Sequence, residues 1–387
     1  MRAALPALIA IAVLSVAPSL RADDDDPEYN GKTMSEWTTM ARESQTLRLR
    51  RLAASALGQI GSDALPKIRR KVCETLGSVF RRDSAGAVRA EAAKSLGVIS
   101  TELLKDMLGD TGSVVIDLAE GLRVEKDVDA KREAAAALGR YGPSAKGAAA
   151  VLTGMLGDAD AGVKEQVAMT LGRIGGESKA ALDPLLPLLK DKEPGVRRAA
   201  VFALGRIEAE DRAKAAAAVV ALLATEKTPE LRLEIVTSLS LLKDKNVDVI
   251  KGLAGTLKDE NVDIRRQAAK GLGGFDDAAK GAEKELAEAF KGDADKFVRV
   301  YALHSLCIAS SEVDKIISTL IERLDPKIEK EIEVRIAICD EIGALGPAAD
   351  AAIPKLREAQ KDPEIRVRDA AAAAIKKLIA KPTPPKP

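Results

Sequence analysis

The sequence predicts an all-α fold, an α-α superhelix of about ten stacked helix pairs. Three observations predict it. One short motif recurs ten times at steps of 33 to 42 residues. Each copy carries apolar residues at helical spacing. The chain is 46% hydrophobic but only 2% aromatic, so its core is thin and filled by Ala, Leu, Ile and Val. A wide globular core usually needs bulkier side chains. The 31% of charged residues supply enough polar surface for an elongated chain, and the net charge of +1 gives no global field to draw it onto nucleic acid or an anionic membrane.

Residues 1–22 read as a signal peptide. Arg2 supplies the positive start, Ala3 to Ala17 is apolar apart from Pro6 and Ser15, and Ala22 is the expected last residue removed. The apolar core is too short for a comfortable membrane span. The expected location is therefore periplasmic or secreted, in a bacterial envelope, with no stable membrane insertion once the signal is gone. An uncleaved anchor is the alternative. Residues 23–32, which open with Asp23 to Asp26, read as an acidic disordered leader.

The solenoid is expected over residues 33–380. Its N-terminal cap is a helix over residues 33–43, with Thr33 and Glu36 at capping-box spacing. Trp37, the only Trp, is placed to cover the open end of the first repeat. Ligand stacking is the other role for an amphipathic Trp there.

The ten copies have aliphatic anchors at Leu49, Val88, Ala130, Val163, Val196, Leu231, Ile264, Val298, Val334 and Val367, about 35 residues apart on average. After the anchor come a basic residue, small residues and Leu-Gly, most clearly from Val196 to Gly205. Val196, Ala199, Ala200, Ala203, Leu204 and Ile207 form one apolar stripe. A second apolar helix precedes each copy, as at residues 181–190. A turn joins the two, with Asp191, Asp259, Asp293 and Asp362 placed to accept hydrogen bonds from free amides at the following helix start. Neither helix buries its stripe alone, so the pairs must stack.

These residues resemble the HEAT repeat in its short bacterial form, which is shared with the lyase-type HEAT-like repeats. The turn Asp, the Val-Arg pair, the Ala-Ala pair and the Leu-Gly carry the resemblance. It implies that the second helix of each pair lines a concave side. It is specific for fold and says little about function, since one scaffold serves many partners.

The long steps, 39 and 42 residues, predict an extra turn or short helix near residues 100–112. The Leu-Gly signature is broken at Ser240, Cys307 and Lys376, where less uniform packing is expected. Residues 381–387, rich in Pro and Lys, cannot continue a helix. Cys73, Cys307 and Cys339 all fall in predicted helices and read as small buried residues.

No catalytic constellation accompanies the repeats, and the chain reads as a non-enzyme with no cofactor and no metal site. His304 is the only histidine, which excludes multi-histidine metal sites and the His-Glu pairs of the HEAT-repeat hydroxylase. It reads as a surface residue without a visible partner. A bilin-lyase-like enzyme is an alternative implied by the resemblance, and a structural, self-associating envelope protein is another. The HEAT-like DNA glycosylases use an aromatic-rich basic cleft, which is absent, so nucleic acid is not an expected partner.

The residue after the anchor is basic in all ten copies. This column is either a ligand-binding stripe or a ladder of ion pairs with the turn aspartates. Arg132, Arg140, Met169, Arg173, Arg198, Phe202 and Arg206 fall at positions expected to be exposed on three consecutive second helices. They form the candidate surface for a protein or peptide partner. Ordinary salt bridging, with partners such as Glu133 and Glu165, is the competing reading.

Overall fold

The computed structural model describes residues 25–105, 111–206, 212–310 and 312–379. The signal segment, Asp23, Asp24, Ile207 and the tail at 381–387 lie outside the described residues. The chain divides into two compact units, with the division between Val151 and Leu152.

The first unit opens with a two-residue hairpin, β1 (Glu28–Tyr29) and β2 (Lys32–Thr33). Asn30 and Gly31 both take positive φ, the pairing a tight two-residue hairpin requires. The segment read as a disordered leader is therefore ordered from Asp25 onward. Asp26 accepts the Ser35 amide at 2.8 Å, and Asp25 pairs with Lys67. Helix α1 (Met34–Glu43) starts with the expected capping box between Thr33 and Glu36. Trp37 is 4% exposed and donates its indole N–H to the Tyr29 carbonyl at 2.8 Å. It is a packing residue.

Helices α2 (Leu47–Asp63), α3 (Pro66–Arg82), α4 (Gly86–Lys105), α5 (Thr111–Val124) and α6 (Val128–Tyr141) complete this unit. The second helices α2, α4 and α6 pack side by side. The extra length expected near residues 100–112 is partly an extension of α4, which runs to Lys105. Tyr141 is fully buried and donates to the Leu96 carbonyl at 2.9 Å.

Helix α7 (Ala149–Gly154) crosses the division. The second unit contains α8 (Ala161–Ile174), α9 (Leu182–Leu185), α10 (Pro194–Leu204), α11 (Arg212–Leu223), α12 (Pro229–Leu242) and α13 (Val247–Gly255). It continues with α14 (Val262–Leu272), α15 (Glu283–Gly292), α16 (Lys296–Ala309), α17 (Val313–Arg323), α18 (Ile332–Leu345), α19 (Ile353–Ala359) and α20 (Ile365–Ile379). The expected apolar helix at 181–190 is broken. Only α9 is α-helical, and 3-10 turns flank it over Gly175–Ala181 and Leu186–Lys190. Pro184 and Pro187 each remove an amide donor from this short stretch.

Within each unit the anchors and the Ala-Leu stripe form the core, except that the first anchor, Leu49, is exposed at the start of α2, where no preceding repeat covers it. Val163, Val196, Ile264, Val298, Val334 and Val367 are all fully buried. The Leu-Gly glycine is a point of close approach between neighbouring second helices. A Cβ on Gly205 would lie 2.6 Å from Ser238 Cβ and 2.9 Å from its Cα. In the next repeat the larger residue is Ser240, and the facing position on α14 is Gly271. The small residue has moved across the seam while the spacing is kept. At Cys307 no such exchange occurs, because the facing residue is Glu341, which sits in an electrostatic and hydrogen-bonding contact with the thiol. Cys307 is half-buried, whereas Cys73 and Cys339 are buried; none of the three forms a disulfide.

Candidate protein-binding surface

The basic column is built by the turn before each second helix. Five residues before each anchor the chain carries Asp or Glu in every repeat except the first, which has Ser44. The turn acid folds back on its own backbone, as where Asp259 accepts the Asn261 amide and Asp293 the Asp295 amide. This local ring leaves the outer carboxylate edge facing the preceding repeat.

The base of the preceding repeat takes that edge. In the first unit Arg50 binds Asp83 and Arg89 binds Glu125, each through Nε and Nη2. In the second unit Lys164 binds Asp191, Arg197 binds Glu226, and Arg232 binds Asp259. Arg265 then binds Asp293, Arg299 binds Glu329, and Arg335 binds Asp362. Each of these arginines also gives Nη1 to the carbonyl at the same position of its own turn, Ser44 for Arg50 and the turn acid for the others, as Arg265 does to Asp259 at 2.9 Å. One guanidinium therefore ties its own turn to the next, using the planar fork that Lys lacks.

The electrostatics agree. Burial works against the charge on Glu226, yet the Thr228 amide and hydroxyl and Arg197 hold its carboxyl down at about 2. Burial likewise opposes Glu329, and Arg299 and the Glu331 amide overcome it. The column is thus a structural ladder. The sequence signal for it is the acid five residues before every anchor but the first, of which the sequence reading names only Asp191, Asp259, Asp293 and Asp362.

The seven candidate partner-binding residues divide between the units. In the first, Arg132 and Arg140 are exposed on α6, and Arg132 pairs with Asp129 at 2.6 Å, not with Glu133. In the second, α8 and α10 bring the other five together. Arg198 is exposed and lies 3.7 Å from Glu165, the expected partner. Phe202 is half-buried and lies against Gly172. Arg206, just past α10, stacks on the Phe202 ring at 3.7 Å and pairs with Glu234 at 3.1 Å. These two are engaged with each other and with the next repeat. Arg173 is different. It is exposed at the last turn of α8, next to half-buried Met169, and no carboxylate among the described residues pairs with it.

His304 is exposed on α16, as a surface histidine should be. Its Nδ1 lies 2.8 Å from Glu341 of the next second helix. Among the described residues no group of three His, Cys, Asp or Glu is placed to hold a metal ion. No described helix is long and apolar enough to cross a membrane. A groove of about 870 Å³ lies between α11 and the segment before α10. Leu186, Pro187, Ala218 and Leu222 line it, with the Asp183–Lys214 pair at its rim.

Residues 115–205, 177–240, 216–307 and 283–376 match the family described as HEAT repeats. The fold is also similar to an engineered protein solved by the Northeast Structural Genomics Consortium. That likeness has 19% identity and a TM-score of 0.58, and covers 90% of this chain and 99% of the other. No curated protein matches the chain.

Proposed function

Since the chain belongs to the HEAT-repeat family, a scaffold fold for protein interaction, we propose that it is an exported scaffold that binds a protein or peptide on the second-helix face of its central repeats. The face is the one that family resemblance makes concave. Arg173 carries the reading. Arg198 and Arg206 of the same patch face carboxylates of their own chain, whereas Arg173 stands exposed beside Met169 and the Arg206–Phe202 stack. An unpaired Arg flanked by adaptable apolar and aromatic side chains has the composition of an interface anchor. Export is supported by Arg2 and the apolar run from Ala3 to Ala17.

The test is affinity capture from envelope extract with residues 23–387 as bait, beside R173E. Arg173 makes no ion pair among the described residues, so R173E should unfold at the same urea concentration as the wild type. A protein held by the wild type and lost with R173E is the expected result. A partner retained equally by both would refute the assigned face. Amino-terminal sequencing of the native protein checks export, with Asp23 as the expected first residue.

A further inference from the structure

The ladder does not end where the repeats end. Arg368 is the tenth base in the column, and it holds the same pose as the others. Its Nη1 donates to the carbonyls of Asp362 at 2.8 Å and Pro363 at 2.9 Å. Arg335 makes the corresponding pair of bonds to Glu329 and Lys330 at 2.8 and 3.0 Å. In Arg335 the remaining Nε and Nη2 edge takes Asp362. In Arg368 that edge meets no carboxylate among the described residues, and residues 380–387 contain no Asp or Glu.

The rest of the same helix face is also unfinished. Five positions after the anchor every other repeat buries its residue completely, as at Leu303 and Cys339. In the last repeat this residue, Ala372, is exposed. Ile375 is half-buried where the other repeats bury Leu or Ile, and Ile379 is 68% exposed. Arg368, Ala372, Ile375 and Ile379 follow one another at helical spacing, so they form one stripe on α20. At the opposite end the turn acid is replaced by neutral Ser44, and α1 with Trp37 packs on α2, although Leu47, Leu49 and Leu52 stay exposed there.

We infer that the outer face of α20 is a docking surface for an acidic segment of a partner protein, whose carboxylate completes the Arg368 fork. The internal seams define the chemistry: seven arginine forks in this chain each take the carboxylate of an incoming turn. Lys376 narrows the choice. It stands where the close-packing seams use glycine, so another tightly stacked repeat does not fit. It also adds a second cation on the same helix, about two turns from Arg368. A second copy of this chain is a poor complement as well, because its free end presents Ser44. The surface is distinct from the second-helix face around Arg173 and stands whether or not that face binds.

The probe is a fluorescein-labelled peptide of residues 356–370 carrying R357E and K361E, titrated by anisotropy against the full chain. It presents Asp362 and Glu364 in the sequence that docks on Arg335. Saturable binding is expected, weakened about tenfold or more by R368E and by K376E. R173E should leave it unchanged, which separates this result from the fate of the Arg173 face. R368E should lower the urea midpoint only slightly, through the two carbonyl hydrogen bonds it gives up, because no carboxylate is stranded. Equal affinity for wild type and R368E, or no saturation by about 1 mM peptide, would overturn the inference. So would self-association in sedimentation that R368E abolishes, since the occupant would then be a second copy.

Discussion

Replacing Arg335 by Ala should loosen the last repeat far more than replacing Arg368 by Ala, although the two residues occupy equivalent positions. The Arg335 side chain is 4% exposed and that of Asp362 is 1% exposed. The guanidinium makes four hydrogen bonds, two to Asp362 and one each to the carbonyls of Glu329 and Lys330. Its removal strands a buried carboxylate whose other hydrogen bond comes only from the Glu364 amide. Breaking a buried pair in this way costs about 3 to 5 kcal/mol. Arg368 has only its two carbonyl bonds to lose, at about 1 kcal/mol or less apiece. Urea unfolding of R335A and R368A, together with amide exchange in α20, compares them directly. Exchange in α20 should accelerate strongly in R335A and little in R368A. R335K should fall between, since a single ammonium replaces one or two of the four bonds. If R335A lost no more than R368A, the ladder would be surface decoration and the explanation of the basic column would fail.

Three further predictions rest on other features. Ser178 is buried with no partner for its hydroxyl, and it takes the place held by Ala145 and Ala349 in the matching 3-10 turns. S178A should therefore raise stability by about 1 kcal/mol in thermal unfolding, and a loss would show that the hydroxyl is satisfied. G271S should destabilise by roughly 1 to 3 kcal/mol through overlap with Ser240. The double variant S240G/G271S restores the arrangement seen at Gly205 and Ser238 and should regain most of that loss; equal damage in both would refute the moved-glycine explanation. Glu226 is held at about 2 in the folded chain against an ordinary value of 4.5. A depressed carboxyl stabilises above its unfolded value, and that stabilisation is lost as pH falls from about 4.5 to about 2. E226Q should flatten the acid limb of stability against pH, and an unchanged limb would remove Glu226 from the account.

The helical stripe, the anchors and the period were legible in the sequence because they depend only on spacing along one helix. Val196 and its equivalents had to face a core whatever their neighbours did. The capping box at Thr33 and Glu36 and the packing role of Trp37 were local for the same reason. The short α9 was missed because apolar periodicity does not distinguish a regular helix from a 3-10 run interrupted by Pro184 and Pro187. The hairpin at Asn30 and Gly31 was hidden by the acidic run before it, which reads as solvated in isolation.

What the sequence determined by itself was therefore the repeat, its helix pairs and the recurrence of a base after each anchor. Only the tertiary structure decided what that base does. A column of charges can face solvent or fold into the seams, and the choice depends on residues about 30 positions apart being brought within hydrogen-bond distance. The same stacking gives Arg206 its partner in Glu234 and His304 its partner in Glu341, and leaves Arg173 and the outer edge of Arg368 unpaired among the described residues. Pairing is a property of the seam between repeats, and a seam exists only once the helices have stacked.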